Sequence, residues 1–193
     1  MFFWHRKFML FSKALRFLLL ISSLFMFAFA MFSPIYAIFV QKIGGGIIEA
    51  SRAWAIFGIT SGLLTFLAGK YENKMKETEL AIAWSQFVIC IAYVLLYFTH
   101  TLHMLYLAVI VLGIGQALFW PAFHAVYSKH VDGKKSTWQW SIYDGLAYII
   151  PAFGSALGGW LVAHYGFSLI FIIMAAISFS CGVLIIFLPR RIL

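Results

Sequence analysis

The chain has 193 residues, of which 64% are hydrophobic and only 10% charged. A soluble domain carries about a quarter of its residues charged, and too few polar residues are present here to make such a skin, so the apolar surface must face lipid. The net charge of +8 would suggest nucleic acid if Lys and Arg clustered on a soluble surface; they lie between long apolar runs instead, where they act as topology signals.

A helix needs about 20 apolar residues to cross the hydrocarbon core. Six stretches qualify: Ala14–Val40, Ala50–Gly69, Glu79–Phe98, His103–Ser128, Ser136–Ala163 and Ser168–Leu188. Barrel strands would alternate in polarity over about ten residues, and no such alternation is present. The fold class is an all-α membrane protein, a single six-helix domain over residues 1–193.

The first stretch follows Arg6, Lys7, Lys13 and Arg16 and carries Phe32-Ser33-Pro34-Ile35-Tyr36 near its far end. Its basic start and Ala28-Phe29-Ala30 also resemble a secretory signal with a cleavage site, but the apolar run continues to Val40, longer than a signal core. Retention as a membrane helix is the expectation, with cleavage to five helices as the alternative. The second stretch holds Gly58-x-x-x-Gly62, and Lys70, Lys74 and Lys76 follow it. The fourth holds Gln116, Trp120 and His124, one face at four-residue spacing, followed by Lys129, Lys134 and Lys135. The fifth holds Trp138, Trp140, Asp144, Tyr148 and Gly154-x-x-x-Gly158; Arg190 and Arg191 follow the sixth. Only Lys42 and Arg52 are left for the opposite side. Basic loops stay cytoplasmic, so both termini are expected in the cytoplasm.

The two halves echo each other. Phe32-Ser33-Pro34 then Gly58/Gly62 in the first three helices match Phe119-Trp120-Pro121 then Gly154/Gly158 in the last three. Three is an odd number, so each unit enters the membrane from the opposite side, an inverted repeat of the kind used by secondary transporters.

Asp144 is the acidic residue well inside an apolar run. A carboxylate there is costly and defaults to function or to a partner; the alternative is a shallow position paired with a loop lysine such as Lys134. His124 changes charge near neutral pH and could form a titrating pair with Asp144, or else hydrogen-bond between helices. Tyr36, Gln116, Trp120, Trp140 and Tyr148 offer an aromatic, weakly polar cavity, although Trp138 and Trp140 also suit the membrane rim. The glycine pairs allow close helix approach, inside one subunit or between two. Cys90 and Cys181 lie inside apolar runs and read as packing residues. No metal-ligand spacing or nucleotide motif is present, and Gly44-Gly45-Gly46 lacks the Lys-Ser/Thr of a phosphate loop. No cofactor, metal or enzymatic activity is expected.

These residues together resemble one six-helix half of a major facilitator superfamily transporter. Ser33-Pro34-Ile35-Tyr36 with Ile43-Gly44-Gly45-Gly46 is similar to the family's first helix and outer loop, and Gly113-Ile114-Gly115-Gln116 with Pro121 to its fourth. Gly69, Asn73 and Lys74 fall on its cytoplasmic loop signature, and Gly145 with Gly154 on the glycine spacing of its antiporters. Asn73 replaces the signature Asp, Lys76 a later Gly, and Gly159 an expected Pro; the fourth helix has no Arg, which the family's proton-coupled members place near Ile110. The resemblance ends where the family's linker and second half begin. It implies a cavity completed by a second six-helix unit: a parallel homodimer meeting through Gly58, Gly62, Gly154 and Gly158, or another half. The expected partners are membrane lipid, that second half and a small amphipathic or lipophilic substrate, in the bacterial inner membrane. The alternatives are a non-transporting assembly or interaction protein, or a lipid-handling protein, with the same fold.

Overall fold

The computed structural model describes residues 11–72 and 77–187, so Asn73, Lys74 and the outermost basic residues lie outside the described residues. Among the described residues, seven α-helices form six membrane-length spans. The first span is α1 (Lys13–Phe32), a 3-10 turn (Ser33–Ile35) and α2 (Tyr36–Lys42); the second to sixth are α3 (Ile47–Glu72), α4 (Thr78–Tyr97), α5 (Leu102–His130), α6 (Ser136–Tyr165) and α7 (Phe167–Phe187). Apolar length sets these segments, and local chemistry ends them. Ser12 Oγ accepts the Leu15 N–H at 3.2 Å, and the Glu49 carboxylate reaches back to the Gly46 N–H at 2.8 Å, satisfying donors that a helix start leaves open. Gly44 (φ +86) and Gly166 (φ +77) adopt left-handed turns that L side chains disfavour.

The first span is broken where Pro34 stands. A proline has no N–H to give the carbonyl four residues back, and that carbonyl, Ala30 O, accepts instead from Ser155 Oγ of the fifth span at 3.2 Å. Pro121, its sequence counterpart, sits inside the unbroken α5.

Packing follows a two-fold exchange. The first span packs on the fifth and sixth, and the fourth span packs on the second and third. Swapping the first three spans for the last three maps one set of contacts onto the other, as an inverted repeat requires. Phe25 and Phe119 meet at 4.4 Å where the first and fourth spans cross.

Lipid tails supply no hydrophobic drive between helices, so close backbone approach holds the bundle. Here the glycines depart from the sequence pattern. A side chain at Gly154 would strike Phe27 O at 2.6 Å, and one at Gly158 would overlap the Met31 carbonyl. These two glycines seat the fifth span on the first within the same chain and are unavailable to a second copy. Gly58 and Gly62 meet nothing within 4 Å; the second span is approached through Phe57, Thr60 and Ser61 by Gly113 of the fourth. Only one helix of a close pair needs to lack a side chain. Of the two equivalent contacts, the first–fifth carries that glycine on the fifth span and the second–fourth carries it on the fourth.

The second and fifth spans are the least covered: 17% of the most apolar window of each is buried, against 39% to 56% for the others.

Candidate functional site

Four spans build one partly open aromatic wall. Tyr36 packs on Trp54 (5.4 Å between ring centroids), and Trp54 on Phe29 (6.4 Å). Phe29 then stacks on Phe25 (6.5 Å), which meets Trp120 edge-on at 5.6 Å. Trp120 stacks on His124 at 5.5 Å, and His124 leans on Trp140 at 6.1 Å. The line therefore crosses from near Lys42 to the end carrying Lys129 and Lys135. Its members come from the first, second, fourth and fifth spans. Trp54 and His124 are exposed and Phe29, Trp120 and Trp140 half-buried, while Phe25 and Tyr36 are buried, so the wall runs between the core and the surface of the bundle.

The polar groups have few partners. Trp120 Nε1 donates to Gln116 Oε1 at 3.3 Å, and Gln116 is otherwise buried. Tyr127 donates its hydroxyl to the Gln139 carbonyl at 2.9 Å, and the Gln139 side chain accepts the Asp132 N–H at 2.9 Å. That pair ties the fourth span to the fifth across the short Val131–Lys135 turn. The Lys135–Asp132 contact (3.9 Å) completes the turn and is half-exposed, so it adds little stability.

Asp144 is exposed on the fifth span about two turns past the start of α6. It makes no ion pair or hydrogen bond among the described residues, and the Lys134 backbone bonds Asp132 rather than Asp144. Asp144 does act electrostatically on Tyr127 and Tyr143. No hydrogen bond or ion pair joins His124 to it. Instead both groups border Tyr143, whose ring lies 6.2 Å from that of His124.

Of the residues singled out by sequence, the structure brings together Gln116, Trp120, His124 and Trp140, with Asp144 beside them. Tyr36 sits at the other end of the wall. Tyr148, 81% exposed, stands outside it. Gly69 lies near the end of α3 with open space beside it. Sequence reading missed Trp54, Tyr127 and Tyr143. Tyr127 is one turn past Phe123, and that i+4 signal was available; Trp54 becomes significant only once the second span is set against the first.

No group of three or more His, Cys, Asp or Glu positioned to hold a metal occurs among the described residues. A wall of this composition stacks on flat or apolar groups, and it offers a carboxylate and an imidazole near one end.

The sequence profile of the Major Facilitator Superfamily matches residues 18–192. The uncharacterized MFS-type transporter YttB of Bacillus subtilis (strain 168) is 25% identical over 143 residues, or 72% of this chain and 35% of the relative. Multidrug resistance protein MdtG of Proteus mirabilis (strain HI4320) is 27% identical over 164 residues, or 82% of this chain and 40% of the relative. The crystal structure of the POT family transporter PepTSo superposes with a TM-score of 0.75 at 15% identity, over 94% of this chain and 38% of its own. At that identity the likeness is one of fold. The chain thus spans less than half the length of these relatives. Six spans and bacterial relatives make this a multi-pass membrane protein of the bacterial inner-membrane kind. With a profile match from residue 18 to residue 192, the chain belongs to the Major Facilitator Superfamily.

Proposed function

We propose that the chain is half of a secondary transporter. Two copies, inserted the same way round, enclose a cavity and move a small amphipathic or lipophilic molecule by alternating access. The observation that carries this reading is the aromatic wall with Asp144 at its margin. A charge deep in hydrocarbon costs about 2.5–3.5 kcal/mol or more, so this surface favours a wet cavity over lipid. Facing aromatic rings with one carboxylate suit a flat, lipophilic, weakly polar molecule, in keeping with the multidrug name of the Proteus relative. The family is one of transporters, and the reading is not of an enzyme.

A second copy has a seat. Ser51, Ala55, Gly58 and Gly62 form an exposed or open small-residue stripe on the second span. Ala152, Ala156, Gly159 and Ala163 form another on the fifth, beside the Gly154/Gly158 face already used inside the chain. Counted from the end that carries Lys42, Gly58 is level with Ala156 and Gly62 with Ala152, the register a parallel pair needs. Closed two-fold symmetry then repeats each contact twice.

The test uses two differently tagged copies in native membranes, one with Gly58→Cys and one with Ala156→Cys. A disulfide between copies, together with ethidium extrusion that Trp120→Ala reduces, is the expected result. Absence of both would remove the half-transporter.

A second reading is lipid handling, favoured by one feature. An apolar groove of about 330 Å³ opens between the second, third and fourth spans, lined by Leu64, Leu67, Tyr71, Trp84 and Ile114 among others, and suits an acyl chain. Co-purified phospholipid lost in Trp84→Ala, with no ethidium extrusion, would put that reading first.

A further inference from the structure

The inverted repeat is not closed everywhere. The fifth and sixth spans pack on each other, whereas the second and third, their counterparts, barely touch. Between those two, over the fourth span, lies the apolar groove of about 330 Å³. Three buried alanines, Ala68, Ala81 and Ala117, make its floor, one from each of the three spans. Leu67, Tyr71 and Trp84 are exposed and make its sides. Leu64, Leu67, Ala68 and Tyr71 follow the spacing of a single helix face. That face is roughly half a turn round the second span from Gly58 and Gly62. The groove therefore opens to lipid, away from the seat proposed for a second copy.

Shape and charge select the occupant. Leu64 to Tyr71 covers about 10 Å of helix axis, within the roughly 15 Å that one leaflet contributes to the hydrocarbon core. The volume has room for on the order of ten methylene-sized groups, taking roughly 30 Å³ for a group the size of water. Both measures suit one acyl chain of one leaflet. At the mouth, Lys70 stands next to Tyr71 and three residues on from Leu67, a neighbour of both on the helix surface. Lys70 is exposed and makes no ion pair among the described residues. A lysine stem lies along apolar surface while its ammonium reaches the headgroup level. Glu77 and Glu79 begin the third span on the other side, so a charged rim tops an apolar groove. That is the polarity of a phospholipid.

We propose that one phospholipid is resident in this groove. One of its acyl chains lies on the three alanines between the second and third spans, and its phosphate accepts a charge-assisted hydrogen bond from Lys70. The chain supplies there the packing that the fifth and sixth spans supply for each other. This lipid is part of the folded protein rather than substrate or cargo, and it rests on neither reading of the function.

The test is native mass spectrometry of the full chain, extracted from its own membranes and washed at length in mild detergent. The parent should keep one phospholipid per chain, and Trp84→Ala and Lys70→Gln should each keep several-fold less. Leu184→Ala, which removes an exposed apolar side chain from the sixth span, should keep as much as the parent. Ala68→Phe fills the groove from its floor and should keep none. Harsher stripping of lipid should then lower the melting temperature of the parent and leave that of Ala68→Phe unchanged. Loss shared equally by Leu184→Ala would mean loose surface lipid and overturn the proposal, as would a parent that keeps none. Replacement of the kept lipid by added phosphatidylglycerol within the time of mixing would make it cargo, and would also overturn it.

Discussion

Asp144 concentrates the chemistry of this chain at residue scale. It is a carboxylate on the side of a helix, out of reach of the loop lysines, with two phenols as its electrostatic neighbours. A carboxylate within a membrane span is costly to bury and is kept where it has a use or a partner, which argues for use. Asp144→Asn should therefore leave the protein folded and at least as stable, while flattening the pH dependence of transport in proteoliposomes. Transport that keeps its pH profile in the Asn variant would remove Asp144 from coupling. The same scale shows where sequence reading stopped short. The His124–Asp144 pair suggested by the sequence is not formed, and Tyr143 stands at the border of both. Side-chain type and helical spacing identify which residues share a face of one helix. They do not say which faces of two different helices meet.

At the scale of elements, the glycines carry the lesson. Gly58/Gly62 and Gly154/Gly158 have identical spacing, yet one pair faces open space and the other is pressed on the backbone of the first span. The two pairs should accordingly behave differently. Gly158→Leu must displace the Met31 backbone, a strain at or beyond the upper end of the roughly 1–3 kcal/mol that overpacking costs, and should abolish monomer stability in a detergent melt. Gly62→Leu should leave the monomer melt unchanged and weaken only pairing between tagged copies. Equal melts for the two variants would contradict the packing described. The first span shows a related effect. Pro34 and Pro121 match in sequence, but only Pro34 coincides with a break, and its freed carbonyl has the Ser155 hydroxyl as a substitute partner.

At the scale of the whole molecule, orientation rests on charge. The described basic residues gather at one end of the bundle, Lys13, Arg16, Lys70, Lys129, Lys134 and Lys135 against Lys42 and Arg52. By the positive-inside rule the larger group is expected on the cytoplasmic side. In a background lacking Cys90 and Cys181, Gln41→Cys should react with an impermeant maleimide in intact cells and Lys134→Cys should not. The reverse pattern would invert the topology. Both positions are exposed and lie outside tight packing, unlike Gly45, where an added side chain would meet Val40 and Leu102.

Six membrane-length spans were legible in the chain itself, whereas the break at Pro34 was not, since the first stretch reads as one continuous apolar run. The aromatic residues Trp120, His124 and Trp140 were legible as well. The reason is that hydrocarbon imposes its length on each helix separately, so span and composition are local properties that one stretch of sequence contains in full. The partners of those helices are a different matter. Helix association in lipid depends on close shape matching between surfaces rather than on apolarity. Every face of these helices is apolar, so periodicity does not mark the inward one. Only the tertiary structure could therefore decide two things: that the fifth span spends its Gly154/Gly158 ridge on the first, and that Trp54 joins Tyr36 to the wall.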